Sequence, residues 1–156
     1  MRFTKIFLIV PGLLALIASA IIINGYYELS QAGEQVKGAP QIAAQHYELA
    51  ARRIIWRVDL WEKAGASAYA GGNYSEAIRL FSIARDHDSL SAEAWDMFGS
   101  AYWLDDDHAT ALDVWQSGAG EYPPSAALYD RLTMAYHEKG DYVSEQNALT
   151  ARIALG

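Results

Sequence analysis

The sequence contains no cysteine. This absence excludes disulfide bonds, thiol catalysis and thiolate metal sites together. It also excludes the lipid-carrying cysteine of a bacterial lipoprotein, so any attachment to a membrane must be made by the polypeptide itself. Basic residues are few as well: 12 lysines and arginines stand against 19 acidic residues, for a net charge of −7. A nucleic-acid-binding surface needs a basic face for the phosphates, so this composition argues against that class of protein.

The usual enzyme motifs are also missing. There is no glycine-rich nucleotide loop, nucleophile elbow or zinc-protease sequence. The run Asp105–His108 offers oxygen and nitrogen ligands for calcium or zinc, but it lacks the spacing of a calcium-binding loop. A solvated turn that caps a helix explains this run, and Asp86–Asp88 in the same way. We therefore predict no enzyme, no metal and no cofactor, and a hydrolase with an unrecognised site is the alternative.

What is present first is an uncharged apolar run, Ile6–Ile23. As a helix it would be about 27 Å long, close to the thickness of a bilayer core of about 30 Å. Lys5 precedes the run, and Tyr26 and Tyr27 follow it at the position of an interfacial aromatic belt. Residues 1–23 are therefore predicted to be a single transmembrane anchor, with residues 6–23 in the lipid.

A cleaved secretory signal is the competing interpretation of this segment. Ala18-Ser19-Ala20 has the form of a cleavage site, with the cut after Ala20. The apolar run continues to Ile23, which favours an uncut helix. Basic residues precede the run and acidic residues follow it, so the positive-inside rule predicts a cytoplasmic N-terminus and an extracytoplasmic domain on a bacterial cell membrane. Both interpretations send the domain to the same side.

The second feature is a repeat of 34 residues. Helix-spaced aromatic and small residues recur at this period in one register. The matches pair Trp95, Gly99, Ala111 and Trp115 with Trp61, Gly65, Ala77 and Phe81, and Trp95, Phe98 and Tyr102 with Tyr129, Leu132 and Tyr136.

This pattern resembles the tetratricopeptide repeat (TPR), and the segment Gly71–Ala84 is especially typical of it. The resemblance implies an all-α fold, a short solenoid of helical hairpins behind the N-terminal helix. It says little about function, because such repeats serve many unrelated partners.

The same register divides the chain. Residues 24–40 are predicted to be a linker or a frayed continuation of the membrane helix, reaching roughly 20–25 Å if flexible. Residues 41–57 are predicted to be a capping helix, a half repeat that could also continue into the next helix. The three repeats then occupy 58–91, 92–125 and 126–156. In the last repeat Glu145 and Arg152 replace the expected alanines, which suits an end helix that faces water.

Packing roles follow from residue size. Gly65, Gly99, Ala77 and Ala111 are expected where two helix backbones approach closely. The aromatic residues at the packing positions are expected in the core, namely Trp61, Trp95 and Trp115.

The resemblance implies that the first helices of successive hairpins line a concave groove. The residues expected to face it are Asp59, Glu62, Tyr69, Glu93, Asp96, Trp103, Asp130 and His137. Carboxylates beside aromatic rings suit an extended protein segment that carries Lys or Arg and some apolar side chains. A solvated acidic face is the alternative explanation. The clamp that binds an acidic chain terminus with Lys and Asn is excluded, because these columns have the wrong sign.

Together these features predict a membrane-anchored TPR interaction or scaffold module, an accessory or assembly subunit of a membrane complex. Its partner is predicted to be a protein. The alternative is an extracytoplasmic binder of glycan or cell-wall polymer, with Tyr69 and Trp103 stacking on sugars. Arg52, Arg53 and Arg57 are left with three possible surroundings: anionic headgroups, a partner, or water.

Overall fold

The computed structural model describes residues 3–88, 90–121 and 125–156. Within these ranges the chain forms helices and no strand. The helices are α1 (Phe3–Gln35), α2 (Pro40–Arg53), α3 (Asp59–Ala70), α4 (Tyr74–Asp86), α5 (Ala92–Leu104), α6 (His108–Glu121), α7 (Ala126–Lys139) and α8 (Tyr142–Ile153). They pack as consecutive hairpins, in which each pair also contacts the next pair along the chain.

Helix α1 is longer than the predicted anchor. The segment predicted as a flexible linker, residues 24–40, is mostly helical, because α1 continues to Gln35 and α2 begins at Pro40. Gly25 does not break the helix, because it lies against the turn that follows α2: a Cβ atom at this position would be 2.7 Å from Cγ1 of the buried Ile54. The alternative, a continuation of the membrane helix, describes the segment better.

Among the described residues, α1 is the one helix long and apolar enough to cross a membrane, over Val10–Gln35. A signal sequence near the N-terminus has the same features, so this finding agrees with both interpretations of the segment. The side chains of Leu13, Leu16 and Ile17 are exposed in the isolated chain.

Helix α2 is also more than a half repeat. It packs antiparallel on the C-terminal part of α1, so the two form a hairpin of their own. The buried residues Ala43 and Ala50 lie in this helix at the positions that the repeat predicts. The continuous helix left open by the sequence does not form, because α2 ends at Arg53 and α3 begins at Asp59 after a short turn.

The repeated spacing of glycines and aromatic residues arises from contacts between a glycine and a ring, and not from the expected close approach of two helix backbones. Gly65 and Gly99 face aromatic rings of the partner helix, not its backbone. A Cβ atom on Gly65 would lie 2.7 Å from the Phe81 ring, and one on Gly99 would overlap the Trp115 indole. The second repeat carries the reverse contact too, because a Cβ on Gly118 would lie 2.7 Å from Cβ of Trp95.

The core runs through all the repeats. Trp95 and Trp115 are fully buried, as predicted, whereas Trp61 is only partly buried and has the Arg52 guanidinium 5.7 Å from its ring centre. Phe81 and Phe98 join neighbouring hairpins, with ring centres 5.7 Å apart. The main apolar core therefore extends from α2 to α8, and a second, smaller cluster of Ala50, Ala51, Ile54 and Leu60 lies where α2 meets α3.

The turn predicted at Asp105–His108 caps α6 through Asp107, whereas the cap of α5 comes from Ser91 and not from Asp86–Asp88. Side-chain oxygens of four residues accept hydrogen bonds from backbone amides in the first turns of α4, α5, α6 and α8, namely Asn73, Ser91, Asp107 and Asp141. The Thr110 hydroxyl and amide also lower the pKa of Asp107. Two connections between hairpins include residues outside the described ranges, namely Ser89 and 122–124.

The last helix is only partly polar on its outer side. Glu145 and Arg152 reach back to α7, where they pair with His137 at 3.1 Å and Asp130 at 3.1 Å. Four apolar side chains of the same helix remain exposed, namely Tyr142, Val143, Leu149 and Ile153.

Candidate partner-binding groove

The first helices of three hairpins, α3, α5 and α7, lie next to one another in a row. A cavity of about 230 Å³ opens on this row. Its lining comes from all three helices and one residue of α6, namely Tyr69, Ser100, Trp103, Leu104, Trp115, Arg131 and Met134. Two of the predicted groove residues, Tyr69 and Trp103, thus meet at one cavity.

Trp103 is the central side chain of this region. Its ring stacks on the His108 imidazole, with centres 4.0 Å apart and planes inclined by 10°, and lies 5.7 Å from the Trp115 ring. A second cavity of about 300 Å³ lies on the α6 side of Trp103, where Leu112, Ala135 and Lys139 are among the lining residues. Trp103 therefore forms a wall shared by the two cavities.

Asp96 does not present a free carboxylate to the groove. The Arg131 guanidinium donates a hydrogen bond of 2.8 Å to it from α7. This contact raises the pKa of Arg131 above its ordinary value. The charge exposed at this part of the cavity is thus a neutralised pair, and Arg131 is the more exposed member.

The other acidic residues of the predicted ladder are also engaged within the chain. Glu62 accepts hydrogen bonds from the Ser91 amide at 2.7 Å and the Ser91 hydroxyl at 2.9 Å. Asp59 is held by Arg57, at 2.7 and 2.8 Å, and by Lys63 at 3.2 Å. These contacts join helices and turns, so they explain the acidic columns without a ligand.

The remaining predicted groove residues lie away from the cavity lining. Asp130 pairs with Arg152 of α8, and His137 pairs with Glu145 and has its ring edge-on to Tyr142, with centres 6.2 Å apart. Glu93 is exposed in the first turn of α5.

The row of hairpins is matched by known folds. The crystal structure of the MamA protein, a TPR-containing protein, is similar to this chain with a TM-score of 0.72 and 22% sequence identity, over 83% of this chain and 72% of that one. The fold is a short TPR-type solenoid. The predicted all-α solenoid is confirmed. No family profile matches the sequence, and no curated protein matches it either.

Sequence reasoning missed several residues that line the solenoid cavity, above all Ser100, Arg131 and Met134. The signal was available in the same 34-residue register, because Ser100 and Met134 occupy one column and Met97 and Arg131 another. The predicted groove residues lie in three other columns, which begin at Asp59, Glu62 and Tyr69. The Asp96–Arg131 contact needed the relative placement of α5 and α7, which spacing within one helix does not give.

The Ser100 hydroxyl is the chemically unusual group of this cavity. It is buried and has no hydrogen-bond partner among the described residues. A buried hydroxyl without a partner is destabilising, so it is a natural place for a ligand group to bind.

Proposed function

We propose that this protein is a membrane-tethered interaction module that binds an extended protein segment along the row of first helices. The observation that carries the proposal is the cavity formed by three successive hairpins, which is lined by Tyr69, Trp103 and Met134 together with the buried Ser100. Aromatic rings, methionine and a few polar groups are typical of surfaces that bind peptide side chains.

The chemistry of the cavity favours an apolar or aromatic anchor on the partner. A side chain of that kind fits about 230 Å³. A basic residue of the partner would have to compete with Arg131 for Asp96, because that carboxylate already has a cation. We therefore assign the aromatic residues the main role and the acidic residues the secondary role in an acidic-aromatic groove.

A glycan or cell-wall ligand is the weaker candidate. Sugars bind by stacking on an open aromatic face. His108 already covers one face of Trp103, and Trp115 lies close to the same ring. Tyr69 is close to the Tyr74 ring, with centres 5.7 Å apart. One face of Trp103 is therefore unavailable to a saccharide.

The tether is proposed to be an uncut α1, with the N-terminus in the cytoplasm and the solenoid outside. Support comes from the apolar side chains exposed along α1 and from the charges that flank the apolar run. A domain held in this way fits an accessory or assembly subunit of a membrane complex, and we propose no catalytic role.

The groove is tested by a matched pair of substitutions in the full chain, purified in mild detergent from its own membranes. Met134→Glu places a charge in the cavity, whereas Leu149→Glu places it on α8, and the two parent side chains are similarly exposed. We expect Met134→Glu and Trp103→Ala to lose a co-purifying stoichiometric protein and Leu149→Glu to retain it. Retention by all three variants would contradict the groove, and so would isolation of the native chain alone in every detergent.

Titration with cell-wall fragments separates the two ligand classes. A saccharide that stacks on Trp103 should shift the tryptophan emission of the native chain, and the shift should be absent in Trp103→Ala. We expect no shift in the tryptophan emission, because His108 already covers one face of the Trp103 ring.

A further inference from the structure

The turn between α2 and α3, Ile54–Val58, lies beside the end of the apolar run of α1. Its first residue, Ile54, packs on Gly25, only two positions beyond Ile23. Arg57 is close enough to Tyr26 for the two to interact electrostatically. Because α2 runs antiparallel to α1, its C-terminal end points back towards the segment proposed to lie in the bilayer.

Two large apolar side chains are left uncovered at this turn. Ile55 is 76% exposed and Trp56 is 55% exposed. Ile54, the residue before them, is fully buried against α1. Tyr26 and Tyr27 of α1 are exposed at the same level of the structure. Apolar and aromatic side chains that are uncovered at a membrane boundary are the ones that enter the headgroup region.

The arginines around the turn do not make it cationic. Arg52 pairs with Glu48 at 2.7 Å, Arg57 binds both oxygens of Asp59, and Arg53 lies 3.5 Å from Glu28. Each positive charge thus has an acidic partner on the same surface. Attraction to anionic lipid is therefore weak, and the apolar side chains decide what this turn contacts.

We propose that Ile55 and Trp56 insert into the interfacial region of the bilayer next to α1, giving the solenoid a second membrane contact. This inference rests on the proposed anchoring of α1. The bilayer is the occupant that the position favours, because the exposed turn continues the apolar surface of the span. The contact would hold the first hairpin against the membrane, with the groove repeats projecting from it.

The absence of cysteine permits a clean test with single-cysteine variants of the full chain, each labelled with an environment-sensitive fluorophore and reconstituted in phosphatidylcholine vesicles that contain a doxyl-lipid quencher. Ile55→Cys reports on the turn, and Ile17→Cys reports on the anchor. Val143→Cys is the matched control, because Val143 is 75% exposed but lies at the far end of the solenoid.

We expect the lipid to quench the labels at 17 and 55 and to leave the label at 143 unquenched. Adding phosphatidylglycerol should not change the result, because Arg52, Arg53 and Arg57 already have acidic partners in the chain. Adding Trp56→Ser should reduce the quenching at 55 and leave that at 17 unchanged. The circular dichroism of this variant should match the native chain, because Trp56 is largely exposed.

The outcomes separate the two proposals. Quenching at 17 without quenching at 55 would overturn the second contact and leave the anchor intact. No quenching at 17 would overturn the anchor and the inference with it. Quenching at 55 that requires phosphatidylglycerol would overturn the apolar mechanism proposed for the contact.

Discussion

At the scale of single residues, the contact between glycine and aromatic ring organises each hairpin. Gly99 accommodates the Trp115 indole, and Gly118 accommodates Trp95 from the other helix. The indole of Trp115 also donates a hydrogen bond of 3.1 Å to the Asp96 carbonyl. Each glycine is thus required by the shape of the ring that lies on it.

Gly99→Ala is therefore expected to destabilise the fold by about 1–3 kcal/mol, because the new methyl group must displace a buried indole. Gly120→Ala is the matched control, since nothing lies within 4 Å of a Cβ at that helical position. This control should be neutral or stabilising by up to about 1 kcal/mol. Urea unfolding of both variants in the same detergent measures the difference, and equal free energies of unfolding would contradict the packing argument.

Asp59 links one residue-scale contact to pH. The hydrogen bond from Arg57 lowers the pKa of Asp59 to about 2. A carboxylate with a lowered pKa stabilises the fold above its unfolded pKa of about 3.9, and this contribution is lost as the pH falls towards 2. The side chain is 46% exposed, so screening by water limits the contribution to about 1 kcal/mol or less.

We expect Asp59→Asn to lower the melting temperature slightly at pH 7 and the gap to the native chain to narrow between pH 4 and pH 2. Thermal unfolding at several pH values measures this gap. A gap of constant size across that range would show that the charge of Asp59 is not what stabilises the turn.

The structural role of a residue could be predicted from the sequence where contacts within one helix or one turn determine that role. The burial of Trp95 and Trp115 and the caps at Asn73 and Asp141 follow from local spacing and local hydrogen bonding. The partners of the acidic residues could not be predicted, because Asp96 meets Arg131 only when two hairpins stack.

At the scale of helices, Glu62 connects successive repeats. Its carboxylate, on α3, accepts both the amide and the hydroxyl hydrogen bonds of Ser91, the residue that caps α5. The sequence placed Glu62 in the groove, and the structure gives it a role in stacking. One side chain thereby fixes where the second repeat begins relative to the first.

Glu62→Ala should lower the stability by about 1.5–3 kcal/mol, because charge-assisted hydrogen bonds are lost and the cap of α5 is left alone. Glu93→Ala removes the same charge from an exposed position in the first turn of α5. It should lower the stability by only about a few tenths of a kcal/mol. Hydrogen exchange of the α5 amides measures the local effect. Equal protection of the α5 amides in the two variants would contradict the stacking role of Glu62, and Glu62 would again be a candidate ligand-binding residue.

In the first hairpin the sequence left open whether residues 24–40 form a linker or continue the membrane helix, and the structure has them mostly helical. Residues 24–40 carry glycines and no repeat motif, so the 34-residue register has nothing to match there. The helix persists because Gly25 packs on Ile54 and Glu28 binds His46 at 2.7 Å, and both contacts come from α2. Tertiary contacts of this kind override local preference, and spacing along the chain does not reveal them.

At the scale of the whole molecule, the proposed topology predicts which residues are reachable from each side of the membrane. In spheroplasts, a membrane-impermeant maleimide should label Val143→Cys directly and Thr4→Cys only after permeabilisation. The labelled chain should keep its full mass of 17.2 kDa, because α1 is proposed to be uncut. Labelling of Thr4→Cys in sealed spheroplasts would reverse the topology, and a shorter product would favour the signal sequence.

The short connection between α1 and α2 has a mechanical consequence. Only residues 36–39 separate the two helices. Helix α1 itself runs from the apolar segment into the first hairpin without a flexible link. If α1 is the membrane anchor, as proposed, a tilt or rotation of α1 in the lipid also moves the solenoid. A partner embedded in the same bilayer would search for the groove in two dimensions, at a nearly constant height above the lipid. The effective concentration of such a partner is higher than that of a freely diffusing one.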